Sequence, residues 1–335
     1  MRWEELLAAF RSLGGIADNV RLGDGPFGRG IFPIDANAPA RLWAPDALHV
    51  RVADIELQGR HMSVKDAGYD PRVRSLFEAY EAHFGWGAGG YEESYAKQAA
   101  WHALPAGVVA AIRETGALAR PAQRFLPPDD ALALSEYLAS RRFLRDGEFY
   151  IVPLIDLVNH SGGVPGYVVG GGYGVAGTFR DEVLVCYSPN DAWSIALNYG
   201  FAAPATIAYS VGATITLPGS MRLSIAREIL EQTVEHNLRV PTVSTSGDQI
   251  LLSHLVLGIE SAKDLPRAIF RTLTGRAGVS QSDYVFDAIA QYNRLQFIAL
   301  LRLLRRYDGA LARTLEDAVI NQLEALCACI GAKTL

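Results

Sequence analysis

Cysteine is scarce in this chain: Cys186, Cys327 and Cys329 are the three among 335 residues. An odd, sparse set gives no disulfide framework, and no Cys-x-x-Cys pair offers a metal two ligands. Cys327 and Cys329 fall near the end of an expected helix, where side chains two apart point about 200° apart, a poor geometry for one metal. All three read as reduced packing residues. Positive charge is not in excess either. The formal net charge is −5, so no broad basic field is available for nucleic acid. No apolar run approaches the roughly 20 residues of a membrane-spanning helix. The start, Met1-Arg2-Trp3-Glu4-Glu5-Leu6-Leu7, carries acids where a signal peptide has a basic segment and an apolar core. The expectation is a cytoplasmic protein with neither nucleic acid nor membrane as partner.

Familiar catalytic signatures are also missing. There is no Gly-x-Ser-x-Gly with a downstream acid and His, no His-Glu-x-x-His and no EF-hand loop. The glycine-rich stretch 162–177 is not followed by Gly-Lys-Ser/Thr, so it is no P-loop. Cys186 lies within an apparent strand with no activating His nearby, which argues against a thiol nucleophile.

What is present is an apolar half and a charged fifth, the balance of a folded chain able to bury a full core in one large domain or two ordinary ones. Residues 2–12 read as a short amphipathic helix ended by Gly14-Gly15. Residues 15–57 read as small antiparallel strands. Among them, Leu48 to Ile55 alternates apolar and polar like one half-buried strand. Residues 58–145 switch to helical periods, clearest over Arg72 to Phe84, Tyr91 to Ala103 and Asp129 to Phe143, the last with Asp129 or Asp130 as N-cap. Residues 146–218 return to strands and turns. Residues 220–335 read as almost wholly helical. The longest helix is Asp283–Tyr307, with Phe286, Ile289, Phe297, Leu300 and Leu304 on one face. A strand-rich, helical, strand-rich, helical order does not suit a doubly wound sheet. It suits an α+β fold: a β-core with a helical insertion and a helical tail.

Four fragments carry the candidate chemistry. Gly23-Asp24-Gly25-Pro26-Phe27-Gly28 spells Gly-x-Gly-x-x-Gly, but a dinucleotide fingerprint must open a helix, and Arg29-Gly30-Ile31-Phe32-Pro33 reads as a strand. A glycine-rich hairpin fits better. Ser140-Arg141-Arg142-Phe143 ends a helix, where basic residues suit the terminus. Ile151 to Leu157 is an apolar, strand-like run that leads into Val158-Asn159-His160-Ser161. His160 there reads as a structural histidine in a polar turn, since no other metal ligands stand at ligand spacing. Ser188 to Gly200 reads as a helix with Ser188 as N-cap, Pro189 at its first position, Asp191 completing the start and Gly200 as a left-handed stop. Tyr199 then sits at a fixed corner.

In this order the fragments resemble a SET-domain protein methyltransferase, closest to the Rubisco large-subunit methyltransferase-like branch. The family pattern (V/L)PxxDxxNHS is met at Pro153, Asp156, Asn159, His160 and Ser161. The pattern YGxxSNxxLLxxYGF is met at Tyr187, Ile195, Tyr199, Gly200 and Phe201. Ser188 stands where a glycine is common, and Asp191 and Ala192 where Ser-Asn is usual. The resemblance implies a SET-type β-core with a pseudoknot over residues 13–218, a helical insertion over about 58–145, and an all-helical domain over 219–335 on which a protein substrate docks. It implies S-adenosyl-L-methionine as cofactor, approached by the backbone of Gly28, Arg29 and Gly30. Asn159 would hold the cofactor's amino-acid end, His160 would offer backbone bonds to the adenine, and Arg141 would clamp its carboxylate. Tyr199 would be the catalytic phenol, with Tyr167 or Tyr173, Tyr187 and Tyr209 lining the acceptor channel. No metal is implied. The expected activity is N-methylation of a protein side chain, most often lysine. A histidine, an N-terminal amine, a catalytically inactive SET-like binding module and an unrelated helical scaffold are the alternatives.

Overall fold

The computed structural model describes residues 1–65, 68–117, 123–187, 190–217, 220–227 and 240–330. The fold is α+β, with several small sheets and, among the described residues, nine helices. The helices are α1 (Trp3–Ser12), α2 (Pro71–His83), α3 (Gly90–His102), α4 (Ala106–Glu114), α5 (Asp130–Arg141), α6 (Ala192–Tyr199), α7 (Leu265–Arg276), α8 (Ser282–Leu304) and α9 (Ala310–Ile330). Local chemistry sets their starts. Asp70 accepts from the Arg72 amide, with Pro71 at the first helical position of α2. Asp129 accepts from the Leu132 amide at 2.7 Å and so caps α5. The chain divides into two compact units, with the first boundary inside α3. Among the described residues the first unit takes Met1–Gln98 and 128–187, and the second takes 99–127, 190–227 and 240–330. This division differs from the expected boundary between residues 218 and 219.

The first unit is built of short antiparallel pieces. Ile16–Asp18, Ala40–Pro45, Gly172–Gly177 and Val168–Val169 form one four-stranded sheet in that order. Gly174 pairs with Trp43, and a Cβ at Gly174 would come within 2.8 Å of the Trp43 ring, which is why glycine stands there. Val20–Gly25 and Gly28–Pro33 form a hairpin closed by Pro26 and Phe27. Val50–Arg51, Glu148–Ile151 and Phe143–Arg145 form a three-stranded sheet, and Ile55–Gln58 pairs with His61–Val64. Leu6, Leu7 and Phe10 of α1 join Leu42, Ile155 and Val158 in one buried core. Val50, Phe77, Trp86 and Tyr137 form a second.

In the second unit all five α8 residues expected on one face, Phe286, Ile289, Phe297, Leu300 and Leu304, are buried. The C-terminal part is not all helical. Ala213–Thr216, Arg222–Ile225, Gln249–Leu252 and Val243–Ser246 make a four-stranded sheet in that order, and Ile207–Tyr209 pairs with Val256–Ile259. These strands are three or four residues long, too short for period two to stand out. Val256–Ile259 is buried throughout and so shows no alternation at all. Two further expectations are corrected. Leu48 to Ile55 is not one strand, because 3₁₀ turns at Asp46–Leu48 and Val52–Asp54 break it. The stretch 58–145 is not helical from its start, since it opens with the His61–Val64 strand.

Candidate functional site

The first unit brings the Gly28–Gly30 segment and Asn159 together. Ile151 ends a strand, Pro153 follows, and Leu154 takes a left-handed φ of +70° while fully buried. Buried packing holds this strained residue in place. It turns the chain into a 3₁₀ helix at Ile155–Leu157, after which Asn159–His160 pairs in parallel with Leu184–Val185. Asn159 Nδ2 donates to the Arg29 carbonyl at 3.1 Å, across 130 residues of sequence. It also donates to Glu182 Oε1 at 2.6 Å. A Cβ on Gly30 would lie 2.6 Å from Asn159 Nδ2, so the approach depends on glycine. Gly28 plays a different part. Its φ of +89° closes the hairpin, and a Cβ there would meet nothing. Arg29 sends its guanidinium away, Nη1 donating to the Phe84 carbonyl at 3.2 Å.

Arg141, the last residue of α5, reaches the same turn through Asp156. Its Nη1 donates to Asp156 Oδ2 at 3.1 Å, and its guanidinium lies 4.7 Å over the Tyr137 ring. The Tyr80 hydroxyl donates to Asp156 Oδ1. A guanidinium has five donors, so this pairing leaves capacity for a second carboxylate. Glu81 lies beside this network, 1 % exposed. Its Oε2 accepts from the Trp86 amide at 3.0 Å and the Tyr137 hydroxyl at 2.7 Å. Burial, reinforced by Asp156, pushes its carboxyl up to about 7. Burial raises Asp156 as well, and the Arg141 charge opposes that rise.

His160 is buried, and its Nδ1 accepts from the Tyr187 amide at 3.1 Å. Burial lowers its pKa to about 4, so the ring is neutral and works as a brace. The Tyr187 hydroxyl donates to the Val158 carbonyl at 2.8 Å, tying the two segments a second time. Tyr167 stacks on Tyr187 with ring centroids 6.3 Å apart, and both Tyr167 and Tyr173 pack against Phe143. Tyr173 is in the core, and its hydroxyl donates to the Leu144 carbonyl at 3.1 Å.

Tyr199 and Tyr209 belong to the second unit. Tyr199 ends α6, and Gly200 supplies the left-handed stop with φ +83°. The cap expected at Ser188 is corrected: α6 begins at Ala192 under Asp191, and Ser188 and Pro189 lie outside the described residues. Asp191 is fully buried. Its carboxylate accepts from the Ser194 amide at 2.8 Å, from Arg227 Nη2 at 2.7 Å and from Gln322 Nε2 at 3.0 Å. Tyr209 is a buried strand residue opposite Val256, and its amide donates to Asp191 at 3.3 Å. Burial pushes its phenol well above the ordinary tyrosine range.

Sequence reasoning missed Glu182, which follows Arg180-Asp181 and looks like part of a solvated charge run. It also missed Glu81, which did leave a signal: Val73, Phe77 and Glu81 recur every four residues, placing a carboxyl on the buried face of α2. Among the described residues no group of three or more His, Cys, Asp or Glu could hold a metal, and no helix is long and apolar enough to cross a membrane. The chain matches no known family model and no curated protein.

Proposed function

We propose that this chain is an S-adenosylmethionine-dependent N-methyltransferase of the SET type, acting on a protein lysine. The observation that carries the reading is the bond from Asn159 to the Arg29 carbonyl, which joins the two fragments the resemblance singles out. The residues fit the cofactor's chemistry. Gly30 leaves bare backbone against Asn159, main-chain oxygen faces the same point, and Arg141 has donors to spare for a carboxylate. Gly28, Arg29, Gly30, Arg141, Asn159 and His160 would hold it. S-adenosylmethionine, when bound, supplies an electrophilic methyl group on a cationic sulfur.

The rest of the reading concerns the acceptor. A lysine ammonium has no lone pair, so the channel must favour its neutral form. Aromatic walls do this by desolvation. Tyr167 and Tyr187 offer stacked faces for such a wall. Tyr199, assigned by resemblance, is the phenol that aligns the nitrogen, and alignment in a dry site is the main lever. The protein substrate docks on the C-terminal helices in this reading, and the SET pseudoknot belongs to it too. One observation favours a second reading, an inactive SET-like binding module. Asp191, which stands in the usual Ser-Asn segment, is wholly engaged in capping α6 and pairing Arg227.

Incubating the pure chain with radiolabelled methyl donor and a cell lysate tests the proposal. One labelled band whose label survives as methyl-lysine supports it. Label on histidine or an N-terminus redirects the acceptor, and donor binding without any label favours the inactive module.

A further inference from the structure

Glu182 places its carboxylate at the Gly30–Asn159 contact, and half of that carboxylate is unused. The residue is 6 % exposed, and Oε2 is buried with no hydrogen-bond partner. Oε1 accepts from Asn159 Nδ2 at 2.6 Å. Both strands of the glycine hairpin are drawn up to this carboxylate: a Cβ on Gly25 would lie 3.1 Å from Oε2, and one on Gly30 would touch Oε1. The neighbouring Val183 amide donates to the Ile31 carbonyl at 2.8 Å and fixes the segment against the hairpin. Burial raises the Glu182 carboxyl above the ordinary glutamate range, and the Asn159 bond opposes that rise. A buried carboxylate with an orphaned oxygen is a site short of a positive charge.

The donor count says which charge. At present one amide group serves both the Arg29 carbonyl, at 3.1 Å, and Glu182 Oε1. Rotating the Asn159 amide by half a turn would present its oxygen to the same point, making three acceptors, one of them anionic. A primary ammonium carries three N–H donors and no acceptor. A carboxylate or phosphate would be repelled there.

We propose that Glu182, with the Arg29 carbonyl and Asn159, forms a receptor for the primary ammonium of an amino-acid-type ligand. On the function proposed above, on which this inference rests, that group is the α-ammonium of the methyl donor. Glu182 is then a binding residue that sets affinity through charge.

Titration calorimetry of the full chain tests it with two probes: S-adenosylmethionine, and 5′-methylthioadenosine, which keeps the adenosine and the sulfur but has no ammonium. Glu182→Gln is expected to weaken S-adenosylmethionine by at least about tenfold, as for loss of a charged hydrogen bond, and 5′-methylthioadenosine by less than about twofold. Glu182→Ala repeats the test without leaving a buried amide, and thermal melting verifies that each variant folds. Unchanged affinity for S-adenosylmethionine, or equal weakening of both probes, overturns the role of Glu182 and leaves the donor site standing. A wild-type chain that binds neither probe overturns the donor site, and this inference with it.

Discussion

Gly28 and Gly30 sit two residues apart on one strand and are required for different reasons. Gly28 has a left-handed φ of +89° and open space around it, so Gly28→Ala pays only in backbone strain, about 1–2 kcal/mol of stability measured by urea denaturation. Gly30 needs no special φ, but a methyl group there would displace Asn159 and Glu182. Gly30→Ala should therefore weaken S-adenosylmethionine binding by about tenfold or more in a direct titration, since the Asn159–Arg29 contact must open. At this scale the meeting of Asn159 with the Gly28–Gly30 segment was legible, because both motifs state residue type and spacing together. Glu182 was not. A lone glutamate after Arg180-Asp181 has no pattern, and only the fold shows that its oxygens face two glycines.

The start of helix α6 is fixed by one carboxylate. Asp191 caps it, pairs with Arg227 and accepts from Gln322, all without solvent. Asp191→Ala leaves the Arg227 charge buried and unpaired, so it should cost about 3 kcal/mol or more in denaturant midpoint analysis. Helix α2 carries a different liability in Glu81, whose carboxyl burial raises from 4.5 to about 7. A group with a raised folded-state pKa stabilises fully below its unfolded value and loses that contribution as pH climbs through the folded one. Glu81→Gln should therefore gain on wild type as pH rises from 4.5 to about 7, by up to about 3 kcal/mol. A difference that is flat with pH would mean Glu81 is ordinary. Long elements were legible: the α2, α3 and α5 patterns each placed a helix within two residues, and the α8 pattern ran three residues past its end. The strands between residues 222 and 259 were not, because four-residue segments beside long helices give periodicity too little length to register.

Across the whole molecule, residues 99–127 and 190–227 belong with the C-terminal helices. Trp193 of α6 packs against Phe297 of α8, and its Nε1 donates to Thr115. Sequence order hides such a division, since it depends on contacts between segments nearly two hundred residues apart in the chain. A chain cut at about residue 220 loses α8 and α9, leaving Trp193, Ala196 and Leu197 without cover. It should fail to give a cooperative melt, so docking of a protein substrate is better tested on the intact chain. Tyr199→Phe keeps the α6 ring and its packing and removes one hydroxyl. It should abolish most methyl transfer while S-adenosylmethionine still binds, as read by label incorporation beside calorimetry.

The most direct measurement is a calorimetric titration of S-adenosylmethionine into the intact chain and into Asn159→Ala. One equivalent should bind the wild type saturably, and the variant, still folded by its melting curve, should bind at least about tenfold more weakly. No saturable heat with the wild type, or equal affinity in the two proteins, would contradict a donor site at the Asn159–Arg29 contact.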